Sequence, residues 1–194
     1  MIFTKKITTR LLSLVLLGAF IPSFVLADSW DLGIGDITVT ATDTNQTVSQ
    51  VNGETKVDAS PVITSSGTTT NHTVIIEAAA GAEAKVTLED VNIHTGVAAI
   101  TTSGKGDVNI ELDGTNTVQS GTNHAGVEKT NGGTLTITDT NQDNGSLTAT
   151  GGDRGAGIGG GNDGSGSHIT ISGGEVTAQG GIGGAGIGGG QGGS

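Results

Sequence analysis

Val108-Asn109-Ile110-Glu111 alternates apolar and polar side chains, and the same alternation returns at Val86-Thr87-Leu88-Glu89, Leu135-Thr136-Ile137-Thr138 and Ile169-Thr170-Ile171-Ser172. A period of two is the pattern of a half-buried β-strand. A second series lies between these: Ala98-Ala99-Ile100, Ala125-Gly126-Val127, Ala156-Gly157-Ile158 and Ala185-Gly186-Ile187, in steps of 27, 31 and 29 residues. A third follows at Val91-Asn92-Ile93, Thr117-Val118, Ser146-Leu147-Thr148 and Glu175-Val176-Thr177. Each repeat therefore holds three short strands separated by Gly, Asn and Asp. A unit of this size cannot bury its own apolar face, so its neighbours must complete the core. The pattern predicts an all-β right-handed parallel β-helix of about five or six coils, the hand following from the strong bias of parallel crossovers.

Outward from the repeat, the chain of 194 residues divides by composition. Met1–Ala27 reads as a secretory signal: Lys5, Lys6 and Arg10 precede an apolar core from Leu11 to Ile21, and Val25-Leu26-Ala27 is a small-residue cleavage site. The apolar run is short for a membrane span and is broken at Pro22. Residues 28–70 are expected to form an N-terminal strand at Asp36–Ala41, loops and one irregular coil, with Trp30 covering the end of the stack. Residues 71–179 carry the β-helix coils. Residues 180–194 begin a further coil whose partner strands do not follow, and are expected to be an incomplete coil or a frayed tail. A downstream portion, or end-to-end self-association, is the corresponding expectation.

Without the signal, Lys56, Lys85, Lys105, Lys129 and Arg154 face all 19 acidic residues, a formal charge of −14. Phosphate contacts need clustered bases, so nucleic-acid binding is excluded. Cysteine is absent, and Trp30 is the one aromatic residue after the signal. Disulfides and stacked-aromatic sugar platforms are thus both excluded.

The run Trp30-Asp31-Leu32 with Gly35-Asp36-Ile37-Thr38-Val39-Thr40, and Gly145–Gly152 leading into Gly155-Ala156-Gly157-Ile158-Gly159-Gly160-Gly161, resemble secreted β-helix proteins of Gram-positive bacteria that carry such Gly-rich units. The opening also resembles the calcium-dependent carbohydrate-binding domain family, which has a pectate-lyase-like β-helix. The resemblance implies a secreted, non-catalytic module that binds polysaccharide, including acidic pectin-like chains, or acts as an adhesin at the cell surface. A structural spacer, or a piece of a larger adhesin, is the alternative; a polysaccharide lyase ranks third.

Strand alignment by the apolar pattern places Glu89 above Glu111 on an outward face. Carboxylates on adjacent strands, ~4.8 Å apart, repel unless a cation lies between them. Calcium is the candidate, with Glu89, Glu111, Asp90 and Asp113 as ligands. Solvated acids that keep the chain soluble are the competing reading. Gly159–Gly164 fits the Gly-rich calcium nonapeptide poorly and reads as a tight turn. His72, His94, His124 and His168 are too widely spaced for a local metal motif. No Gly-x-Ser-x-Gly elbow and no phosphate-loop lysine is present, and no base sits in an acidic cluster on the aligned strands, so catalysis is not expected.

Overall fold

The computed structural model describes residues 27–194 apart from Asn52 and Glu54; the expected signal segment lies almost wholly outside the described residues. The N-terminal part contains β1 (Ser29–Asp31), β2 (Ile37–Ala41), β3 (Gln46–Gln50), β4 (Thr55–Val57) and β5 (Val62–Thr64). Full coils follow as β6 (Val74–Ala78), β7 (Glu83–Glu89) and β8 (Asn92–His94); then β9 (Ile100–Gly104), β10 (Asp107–Asp113) and β11 (Thr115–Gln119). The next are β12 (Val127–Lys129), β13 (Leu135–Thr138) and β14 (Ser146–Thr150), then β15 (Ile158–Gly159), β16 (Ile169–Ile171) and β17 (Glu175–Gln179), and last β18 (Ile187–Gly188). The described residues contain no helix. They form a β-solenoid of about five turns, as the repeat predicts.

The four turns from β6 to β17 each visit the same three sheets. Sheet I has the order β18-β15-β12-β9-β6-β2-β3-β4, sheet II β1-β5-β7-β10-β13-β16, and sheet III β17-β14-β11-β8. Like residues stack on like because each strand pairs in parallel with its counterpart one turn away. On sheet I, Ile37, Val74, Ile100, Val127, Ile158 and Ile187 form one inward column. On sheet II, Val86, Ile110, Ile137 and Ile171 form another. Except in the last turn these side chains are buried, and each fully buried Ile or Leu contributes about 1.5–3 kcal/mol of transfer free energy.

Two polar side chains that enter this core, Asn116 and Lys129, do so with partners. Asn116 is wholly buried on sheet III; its amide donates to the carbonyls of Asp113 (2.9 Å) and Ser146 (3.0 Å) and accepts the Val91 N–H (3.0 Å). Lys129 continues the inward column of Thr102 and is 7 % exposed. Its Nζ donates to the Asn131 carbonyl at 2.8 Å, while Thr102 donates to Asn131 Oδ1 at 2.8 Å. Burial pushes the Lys129 ammonium below its ordinary range, and the charge of Asp107 offsets part of that.

The two ends differ. At the N-terminal end Trp30 and Leu32 are buried and β1 closes sheet II, so the expected cover is present. β2 occupies the strand expected at Asp36–Ala41, and the stretch after it, expected to be loops and an irregular coil, contains β3 and β4, which pair antiparallel and extend sheet I past the first turn. Val48 is the buried apolar residue of β3 and β4, and Gln46 clamps the backbone of Lys85 by accepting its N–H (2.8 Å) and donating to its carbonyl (2.8 Å). At the other end, Gly180–Ser194 is seated rather than frayed: Gly181 N–H donates to the Gly155 carbonyl (3.0 Å) and Gln191 N–H to that of Arg154 (2.8 Å). Apolar cover thins there, with Ile182 76 % and Ile187 49 % exposed.

Candidate functional site

The turns beside sheet III define an open concavity. Thr68–Asn71 lies beside β8 through the Thr70–Ile93 bridge, His94-Thr95-Gly96 ends β8, and Ser120-Gly121-Thr122 follows β11, so successive turns each place a short polar segment here. Together with Gly33 they line an open groove of about 1050 Å³. Stacking is close because the third segment presents Gly121: a Cβ there would lie 2.0 Å from the Gly96 carbonyl oxygen. Ser120 is buried and structural, its Oγ accepting the Ala99 N–H and donating to the Ala125 carbonyl, both at 2.8 Å. Thr69 Oγ1 accepts a hydrogen bond from the Asn92 side chain at 3.0 Å. The lining thus offers hydroxyl, amide, imidazole and backbone groups, with no carboxylate, lysine, arginine or aromatic ring among the described residues.

The four residues expected to bind calcium are placed differently from one another. In the observed register Glu89 pairs with Asp113, not Glu111; Glu111 lies between Thr87 and Thr138. The offset is two residues, because β7 begins at Glu83 and its first inward residue, Ala84, stacks on Val108. Glu111 is occupied as a staple. One oxygen accepts the Thr138 hydroxyl; the other accepts the N–H (2.6 Å) and hydroxyl (2.9 Å) of Thr140 and the N–H of Asn141 (3.2 Å). Partial burial would raise its pKa, but these hydrogen bonds outweigh it and hold the carboxyl below its ordinary value. Asp90 occupies a corner between sheets II and III with φ of 51°, its Oδ1 accepting the Thr115 N–H at 2.9 Å.

A carboxylate the sequence reading did not single out joins this group. Asp143 lies against Asp113, and its carboxyl is held above the ordinary range by loss of water, by a hydrogen bond with Asp113 and by the charges of Asp113 and Glu111. Of Glu89, Asp90, Glu111 and Asp113, two spend their oxygens on backbone and hydroxyl donors, and among the described residues no three acidic or histidine side chains converge on one point.

A smaller hollow of about 380 Å³ lies over Glu111, lined in part by Lys85, Asn109, Thr138 and Asn141. Of the histidines, His124 touches a carboxylate, Glu128 Oε2, at 2.9 Å, and that same oxygen accepts the Ala125 N–H at 3.1 Å. This pair lies at a sheet I corner outside the groove lining. No helix among the described residues is long and apolar enough to cross a membrane. No family model, curated protein or solved structure matches the chain.

Proposed function

We propose that this β-solenoid is a secreted, non-catalytic module that holds an extended polysaccharide along its lateral groove. The observation that carries the reading is the groove itself: successive turns, stacked at the ~4.8 Å strand spacing, each line it with hydroxyl, amide, imidazole or backbone groups, so an extended polar wall meets an extended ligand. Hydroxyl and amide groups suit the hydroxyls of a sugar chain, and the absence of stacked rings from the lining makes recognition polar and of modest affinity. The lining carries no lysine or arginine, so a neutral chain fits it better than a polyanion. An acidic glycan would need calcium, and in this reading the ion has one place to act, the Glu89–Asp113 pair with Asp143 beside it.

A glycan array with the chain lacking residues 1–27, run in calcium and in chelator, tests the proposal. Binding to a neutral polysaccharide that survives the chelator and is lost in Thr95→Ala with Thr122→Ala supports the groove. Binding that requires calcium and is lost in Asp113→Asn moves the site to the acidic pair. Silence on every glycan favours the spacer reading, to which the unbroken axial ladder is equally suited.

A further inference from the structure

Asp58 is 1 % exposed, yet among the described residues no lysine, arginine or histidine side chain pairs with it. Its partners are neutral donors. Oδ1 accepts the Ser60 N–H at 3.1 Å; Oδ2 accepts the Trp30 indole N–H at 3.0 Å and the backbone N–H of Asp28 at 3.1 Å. A carboxylate removed from water without a counter-charge is costly, even when hydrogen-bonded. The missing charge is one peptide bond away, since Asp28 follows the Val25-Leu26-Ala27 cleavage site.

We propose that Asp58 is the receptor for the α-ammonium of Asp28, created when the signal is cut after Ala27. The inference rests on the secretion reading. The cut is a hydrolysis by the exporting cell's signal peptidase: water adds across the Ala27–Asp28 bond, Ala27 leaves as a carboxylate, and the Asp28 nitrogen takes up protons to become an ammonium. That nitrogen already lies 3.1 Å from Asp58 Oδ2, so a neutral hydrogen bond becomes a half-buried ion pair with no movement of the chain. Residue 28 is held in place from its other side, where its carbonyl accepts the Val62 N–H at 3.0 Å. Ala27 and Asp28 are both exposed, so the bond is open to attack. Asp28's own carboxylate points to a different partner, Lys56 Nζ at 3.8 Å. Processing would thereby lock β1, and Trp30 with it, over the N-terminal end of the core.

The test compares the chain beginning at Asp28 with a free amine, the same chain acetylated at that nitrogen, and the chain beginning at Ala27. Acetylation keeps the N–H and removes the charge. The free-amine form should melt roughly 2–5 °C above the acetylated one, the scale expected for a half-buried pair in a chain of this size. In Asp58→Asn that gap should vanish. Equal melting of the two forms in the unsubstituted chain overturns the proposal. Should Asp58→Asn fail to fold, acylation kinetics decide: the Asp28 amine should react at least about tenfold more slowly than the amine of the chain beginning at Ala27, and equal rates overturn it. Sequencing the N-terminus of the exported protein tests the secretion reading separately. A start at another residue removes the biological occasion for the pair, whereas equal melting removes the pair itself.

Discussion

Glu111 spends a whole carboxylate on holding the segment after β13, through four donors. Glu111→Gln retains one acceptor oxygen and should cost about 1–2 kcal/mol, read as a lower melting temperature near neutral pH. The sign with pH follows from the lowered pKa. The contribution is complete above the unfolded value, ordinarily 4.5, and is lost as pH falls through the lower folded value, so the gap between the two proteins should close in acid. Identical acid profiles would show the carboxylate to be solvated. Lys129 presents the opposite balance. Its desolvation outweighs a single hydrogen bond to Asn131, so Lys129→Met should leave stability unchanged or raise it by about 1 kcal/mol. A loss above ~2 kcal/mol in thermal or urea unfolding would show that the internal Thr102–Asn131–Lys129 network is cooperative. Neither role is legible in the sequence. Glu111 sits where an outward acid belongs by pattern, and Lys129 occupies an inward position whose neighbours one and two turns back are Thr102 and Ile76.

Among the elements, the strands whose inward residues are Ile, Leu or Val were readable from the period of two, and the parallel ladder followed from the repeat spacing. Where small or polar residues face inward the pattern gives out. Ala84 hides the true start of β7, which displaced the expected Glu89 column by one inward–outward pair. The β3–β4 ribbon has one buried aliphatic residue, Val48, and a buried glutamine, so its burial depends on contacts far along the chain. The turns between elements carry a further constraint that composition shows only as abundant glycine. A Cβ at Gly152 would lie 2.0 Å from the Gly121 carbonyl oxygen and 2.2 Å from its carbon, both backbone atoms within a stacked turn. Gly152→Ala should therefore destabilise the protein by at least about 2 kcal/mol, because the neighbouring turn must shift as a unit. Thermal unfolding checks this, and a neutral effect would mean that the turns are looser than the stacking implies.

Across the whole molecule, each turn touches only the turns before and after it, so stability is a sum of neighbour terms and need not be lost all at once. The N-terminal turn is covered by Trp30, Leu32 and the antiparallel ribbon, while the last turn exposes Ile171, Ile182 and Ile187. Native-state hydrogen exchange should therefore show the lowest opening free energies in β16, β17 and β18, rising toward β9–β11. Uniform protection along the stack would show a single cooperative unit instead. The groove lies on the first three turns, the better-covered part of the stack, so binding and local opening at the far end should be independent.

The ladder that joins the turns also fixes how the molecule bears load. Strand order places the two chain ends at opposite ends of the stack, and the inter-strand hydrogen bonds run from turn to turn. Tension applied between the ends would therefore pull these bonds apart along their own length, a zip rather than a shear. Each turn of 27–31 residues occupies ~4.8 Å while stacked and about 100 Å when drawn out at ~3.5 Å per residue. Held between two surfaces, the protein would act as a spool, paying out length one turn at a time.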